Sequence, residues 1–332
     1  INRDIDSYEL PETQWSDGNN IQFDNDKTAK VLGTQQVFGT PTVAPYWLMP
    51  FDTISTNSWI YPSLTKIYRV HTSGSSTTHT DITRTSGGDY SATAGTGWNG
   101  GVLGGVAIIN NGVDNPQFMG DSNTAKFADL TNWPSSTTCK VIRPFKRFLV
   151  ALDTTESSTR YPFRVKWSHP AEGGTIPTTW NPADATKDAG YVDLSQTKGF
   201  VIDCLPLGDT NIIYKEDSIW SMSFEGGQSI FGFRQLFDDV GILGRHCAKS
   251  FDNKHFVVSE DDVYVHDGQT KQSIVDQQIR DELFNSMHPD YKTRTFVAAD
   301  RAKNEMWVCF VSNTNDTNAF ADTAFVYNFR NN

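Results

Sequence analysis

Seven histidines, four cysteines and the triplet Glu260-Asp261-Asp262 are the residues of this chain best equipped for acid–base, nucleophilic or metal chemistry. Their spacing does not assemble them. His71, His79, His169, His246, His255, His266 and His288 form neither HExxH nor HxxxH, the spacings that bring two imidazoles to one helix face for zinc. No G-x-S-x-G elbow and no P-loop is present. His71 and His79 lie in a Ser/Thr-rich stretch that reads as an exposed polar loop. The acidic triplet falls between two apolar runs, where carboxylates can chelate calcium or act as acid and base. A second acidic pair, in Glu216-Asp217-Ser218, occupies the equivalent place between two other runs. That recurrence reads as turn chemistry.

The remaining candidates are weaker. DNDK (24–27) begins like a calcium loop but lacks the Gly and the distal Glu. VHDGQT (265–270) shares Asp267, Gly268 and Thr270 with the Asp-box turns of propeller sialidases, yet no Trp follows. Trp98, Trp133 and Trp180 sit in loop-like stretches, where rings stack on sugars or wedge between packed elements. Cys139, Cys204, Cys247 and Cys309 lie at least 43 residues apart without a CxxC pair, and read as reduced thiols packed as small hydrophobes. No catalytic residue, metal ligand or cofactor is assigned.

The elements that must carry these residues are strands. Four times an apolar run is followed shortly by a second run centred on an aromatic. The pairs are FLVAL (148–152) with FRVKW (163–167), NIIYK (211–215) with SIWSM (218–222), HFVVS (255–259) with DVYVH (262–266), and TFVAA (295–299) with EMWVC (305–309). Their anchors, Trp167, Trp220, Tyr264 and Trp307, are 53, 44 and 43 residues apart. A period of that size built from strand pairs predicts an all-β fold, a β-propeller of four-stranded blades. Weaker matches centred on Tyr68 and Phe118 extend the period backwards at spacings of 50 and 49, for about six blades. GFVIDCL (199–205) and RHCAKSF (245–251) read as first strands; SIFGFRQL (229–236) and TAFVYNF (323–329) read as fourth strands.

Residues 1–35 read as an extended segment that pairs with a later strand and helps close the ring, and 36–332 as the propeller body. Insertions are expected at about 73–97, Ser/Thr/Gly-rich loops with a short edge strand at THTDIT (78–83), and at 168–190, a connection between blades. One helix is predicted over 273–287: Val275, Ile279, Leu283 and Met287 share a face, Ser273 caps it and Asp276 sits in its first turn. No signal peptide or membrane span is legible.

The chain carries 39 acidic and 28 basic residues, a net charge of −11. That balance disfavours tight DNA binding, which relies on cationic contacts, but suits a surface past which DNA slides.

Several segments resemble the tail nozzle (distal tail tube) proteins of short-tailed bacteriophages. They are LPETQWSDGNNIQF (10–23) with KVLG (30–33), YPFRVKWSHP (161–170), PTTWNPAD (177–184), AGYVDL (189–194), IIYKEDSIWSM (212–222) and HFVVSEDDVYVHDG (255–268). The similarity runs from about residue 8 to residue 310. The resemblance implies a structural virion protein, not an enzyme: a propeller subunit in a homo-hexameric ring below the portal and adaptor. It further implies a conduit that DNA traverses without specific binding, with surfaces for tail fibres. Family members are longer, with extra domains that close the tip, so the resemblance assigns no channel gate here. The alternative reading is a carbohydrate-binding or glycan-cleaving propeller, which would need convergent carboxylates or arginines and exposed aromatics.

Overall fold

The computed structural model describes the chain apart from residues 2–3, 13, 25–26, 32–34, 53–56, 96, 228, 316–319 and 331–332. It is a six-bladed β-propeller. A hairpin, β1 (Ile21–Asp24) and β2 (Lys27–Lys30), precedes the blades. The first blade comprises β3 (Met49–Pro50), β4 (Ser58–Pro62), β5 (Ile67–Ser73) and β6 (Ser76–Asp81). The second has β7 (Asn99–Leu103), β8 (Val106–Asn110), β9 (Gln117–Met119) and β10 (Ala128–Asp129). The third has β11 (Thr137–Phe145), β12 (Phe148–Glu156), β13 (Thr159–Trp167) and β14 (Gly190–Asp193). The fourth has β15 (Val201–Leu207), β16 (Thr210–Lys215), β17 (Ser218–Phe224) and β18 (Phe231–Asp238). The fifth has β19 (Ala248–Phe251), β20 (Lys254–Val258), β21 (Val263–His266) and β22 (Lys271–Ser273). The sixth, among the described residues, has three strands: β23 (Phe296–Asp300), β24 (Glu305–Phe310) and β25 (Thr323–Asn328). Every pairing within a blade is antiparallel between neighbours in sequence, as tight hairpins dictate. The first strands β7, β11, β15, β19 and β23 adjoin one another in succession and surround the axis.

The core lies between blades. Alternate residues of a strand point to opposite faces of its sheet, so one strand serves two interfaces. In β8, Ala107 and Ile109 pack with Ile60 and Ile67 of the first blade, while Val106 and Ile108 pack with Ile142 and Leu149 of the third. In β12, Leu149 and Ala151 face the second blade; Val150 and Leu152 face Ile213 and Trp220 of the fourth. Ile212 and Tyr214 turn the other way, toward Phe256 and Tyr264 of the fifth. This two-sided burial explains why the inner strands read as continuous apolar runs. At the seam between the last and first blades, Tyr46 meets Phe320 with ring centroids 5.4 Å apart.

Several sequence expectations are corrected. Ile21 and Phe23 pair with Lys30 and Thr28 inside their own hairpin, not with a blade strand. The N-terminal segment still reaches the last blade through Gln22, whose Nε2 donates to Glu305 Oε1 at 2.7 Å. The helix, α1, is shorter than expected, Gln277–Ser286, with Asp276 at its N-cap. Ser273 ends β22 instead, and its hydroxyl donates to Asp262 Oδ1 at 2.8 Å. The segment 168–190 joins β13 to β14 within one blade, not two blades; the edge strand expected within 73–97 is β6.

Candidate functional site

The axis gathers charge that the first strands carry inward. Arg143 of β11 forms two parallel hydrogen bonds with Asp203 of β15, Nε to Oδ1 and Nη2 to Oδ2, each 2.8 Å. Its Nη1 donates to the carbonyl of Gly100 on β7 at 3.0 Å. Only glycine fits at position 100, where φ is +150° and a Cβ would lie 2.0 Å from the Ile108 carbonyl oxygen. His246 completes the group. Its backbone N–H donates to Asp203 Oδ2 at 3.1 Å, and its Nε2 lies 2.9 Å from the Trp98 carbonyl. Because Nε2 must donate there, Nδ1 accepts from Arg143 Nη2 at 3.3 Å and the imidazole is neutral. His246 holds a φ of +66°, a conformation few residues other than glycine adopt unless their surroundings enforce it. Here Asp203, Trp98 and Arg143 supply that enforcement.

Electrostatics follow from this packing. Burial alone would raise the Asp203 carboxyl, but the Arg143 charge and hydrogen bonds, joined by His246, pull it down to about 2. Burial and then the Arg143 charge lower His246 to about 4, against the pull of Asp203. Four blades are thereby fastened at the axis by one charged group. The arrangement holds a position; it does not leave a base or nucleophile free.

A second polar chain crosses between the fourth and fifth blades. His266 Nδ1 accepts from the Gly268 N–H at 3.2 Å, so its Nε2 carries the proton and donates to the Tyr214 oxygen at 2.7 Å. Tyr214 in turn donates to His255 Nδ1 at 2.7 Å, and His255 Nε2 donates to the Pro206 carbonyl at 3.0 Å. All three side chains are buried. Burial lowers His255 to about 4; burial together with His255 lowers His266 to about 3. Every donor meets an acceptor, as a buried polar network requires.

The predicted anchors divide. Trp167, Trp220 and Tyr264 lie on the third strands β13, β17 and β21 and are buried against neighbouring blades. Tyr68 and Phe118 lie on the third strands β5 and β9. Trp307 differs: it sits on β24, the second strand of its blade, and is only half-buried. The helix α1 and a 3₁₀ turn at Pro289–Arg294 occupy the chain between blades five and six, so TFVAA and EMWVC form strands one and two there. TAFVYNF is correspondingly a third strand. Both hairpins present the same local pattern, which does not encode distance from the axis.

The other candidates serve the frame. Trp133 and Trp180 are buried and meet edge to face at 4.7 Å, and Trp98 is buried with its Nε1 on the Ser63 carbonyl at 2.8 Å. None of the three offers a face to a sugar. In the acidic triplet, Asp262 accepts from the Val263 N–H at 2.9 Å and from Ser273, which is turn chemistry. Asp267 likewise accepts from the Gln269 and Thr270 N–H groups, which hold its carboxyl down to about 2. His71 and His79 are half-buried on strands β5 and β6, not in an exposed loop; His79 Nδ1 is 2.6 Å from the Tyr61 hydroxyl. Of DNDK, Asn25 and Asp26 lie outside the described residues. Among the described residues no three His, Cys, Asp or Glu side chains converge as a metal site would, and no helix is long and apolar enough to cross a membrane.

Sequence reasoning missed the axial group. The signal was present: Arg143 interrupts VIRPF, Asp203 interrupts VIDCL, and Arg245-His246 opens RHCAK. A charge inside an apolar inner strand must be paired on folding.

No family model and no curated protein matches this chain. Solved structures similar to it are propellers at low identity. The Pan2 WD40 domain of Neurospora crassa aligns with a TM-score of 0.45 and 11% identity, over 80% of this chain and 71% of that one. The extracellular domain of a protein named as a hybrid two-component system from B. thetaiotaomicron gives 0.47 and 13%, over 82% and 33%. A protein named as a 6-phosphogluconolactonase from Bacteroides uniformis gives 0.45 and 10%, over 76% and 75%. At such distances none informs on activity or partners.

Proposed function

We propose that this chain is a structural subunit of a phage tail nozzle, a stiff propeller that frames the end of the channel through which DNA leaves the virion. One observation carries the reading: Trp167, Trp180, Tyr264 and His266, all within the resembling segments, are frame residues. Trp167 and Trp180 are buried in inter-blade packing. Tyr264 donates to the Gly241 carbonyl at 2.8 Å, and His266 supports Tyr214. A motif made of buried supports favours shape over turnover.

The assembly is a ring of six copies joined by heterologous contacts, seated below the portal and adaptor and open to tail fibres. The net charge of −11 keeps passing DNA from adhering. The glycan-binding alternative loses support, because the three tryptophans able to stack on sugars are buried. Negative-stain microscopy and light scattering of the purified chain, alone and with its adaptor ring, test the proposal. Six-fold rings are expected. Monomers at every concentration, with no adaptor binding, would overturn it.

A further inference from the structure

Beside the Arg143–Asp203 pair lies a cavity of about 260 Å³, lined by Gly100, Arg143, Asp203, His246 and Lys249 among others. Its charge does not balance. Asp203 is the one carboxylate among the lining residues, and its oxygens are taken by Arg143, the His246 N–H and the Cys204 N–H. The Lys249 ammonium has no hydrogen-bond or ion-pair partner among the described residues, though the side chain lines the same space. Arg245 lies within electrostatic range of Asp203, Arg143 and His246, and among the described residues its guanidinium meets only the carbonyls of Lys140 at 3.1 Å and Gly97 at 3.4 Å. The other carboxylate that acts on it, Asp153, is held by Arg160. Three cations therefore share one carboxylate, at the centre of a chain whose net charge is −11.

An ammonium partly withdrawn from water without a counter-charge is costly; Lys249 is half-buried, and burial followed by the Arg143 charge lowers it. A bound anion offsets that cost. The space is several times the roughly 30 Å³ that one water occupies in the liquid, so a multi-atom anion suits it better than a halide. Oxygen acceptors match the donors at hand, since charge-assisted hydrogen bonds from ammonium or guanidinium to oxyanions are the strong ones.

We propose that the axial cavity binds a small oxyanion, a molecule bearing a phosphate or carboxylate group, seated on Lys249 beside the Arg143 wall, with Arg245 adding positive charge from behind it. Asp203 has a defined part: by saturating Arg143 it fixes the wall and leaves Lys249 free for the ligand. This site is independent of any role in a ring.

The test is calorimetric titration of the full chain, dialysed into chloride buffer, with inorganic phosphate and separately with citrate at constant ionic strength. Saturable binding by at least one is expected, and the two arms tell a phosphate site from a carboxylate site. Lys249→Met should weaken it on the order of ten- to a hundredfold, the loss of one charged hydrogen bond. Lys249→Arg should retain binding, as should Lys254→Met, which alters an exposed lysine at the start of the adjoining strand β20. No saturable heat with either anion overturns the proposal, and so does equal affinity in Lys249→Met. Should that variant fail to fold, the wild-type titration and Lys249→Arg still decide: loss of binding in the folded arginine variant also counts against the site.

Discussion

Arg143 and Asp203 join the third and fourth blades at the axis through two parallel hydrogen bonds of 2.8 Å, with both side chains largely buried. Removing one partner strands the other. Asp203→Ala should destabilise the fold by roughly 3–5 kcal/mol, because Arg143 then stays buried without its counter-charge. Replacing both by apolar residues of similar volume should cost less than the sum of the single changes. Urea denaturation of the two single variants and the double variant measures the coupling. Additive losses would show that the pair does not act as a unit.

Tyr214 joins two imidazoles, and its hydroxyl both donates and accepts. Tyr214→Phe leaves His255 Nδ1 without a donor and His266 Nε2–H without an acceptor, in a region closed to water. A loss of about 2–4 kcal/mol is expected from two unsatisfied buried groups. A denaturation midpoint unchanged from wild type would mean that the two rings find other partners.

These two imidazoles, together with that of His246 at the axis, make stability depend on pH. His246 and His255 titrate near 4 and His266 near 3 in the folded state, against the usual 6.5. Below about pH 6.5 the unfolded chain takes up protons that the folded chain refuses, so stability falls as pH drops. The histidine contribution is complete above 6.5 and is lost between there and about 4 for His246 and His255, and about 3 for His266, at most roughly 3 kcal/mol for each of the first two rings and roughly 5 for the third. Asp203, with its carboxyl near 2, extends the decline below the usual carboxylate range. Denaturation midpoints between pH 7.5 and 4 should decrease steadily. A flat profile over that window would contradict the tautomers assigned to these rings.

These features were unequally legible. The blades were readable because a four-stranded unit must bury both faces, and two-sided burial writes a run such as FLVAL at each turn of the period. Trp307 was misplaced by one strand because an inner hairpin and an outer hairpin share that pattern. Trp133 and Trp180 read as loop residues correctly, yet a loop folded over its own blade is as dry as a strand. The axial group stayed hidden for a different reason. Arg143, Asp203 and His246 are separated by 60 and 43 residues, and only closure of the ring makes them neighbours. The helix was overextended because Val275 continues the apolar spacing, although the chain there still follows the end of β22.

Trp133 and Trp180 offer a direct comparison of packing against sugar recognition. Their rings meet at 4.7 Å, and Trp133 Nε1 donates to the Thr137 carbonyl at 2.7 Å. Trp180→Ala should cost roughly 3–5 kcal/mol through the cavity it leaves. Glycan-array signal, if wild type shows any, should be unchanged at temperatures where the variant remains folded. Abolished glycan binding with intact stability would reverse the assignment of this ring.

The four thiols supply a readout of the whole frame. Cys139, Cys204 and Cys247 are buried, and Cys309 is half-buried. Burial raises all four thiols, Cys204 to about 12 and Cys309 to about 11, and the thiolate is the reactive form. The folded chain should therefore react slowly with an aromatic disulfide reagent at pH 8. Cys309 should react first, and the other three only as fast as the blades separate. Cys247 is the most informative of these. Its Sγ lies 3.0 Å from the Thr295 carbonyl, on the chain entering the sixth blade, so its labelling reports separation of the fifth and sixth blades. With Gln22→Ala, which removes the contact from the N-terminal hairpin to Glu305, Cys309 and Cys247 should label faster than Cys139. Equal acceleration at all four thiols would mean that the propeller opens as a single unit instead of at its last blade.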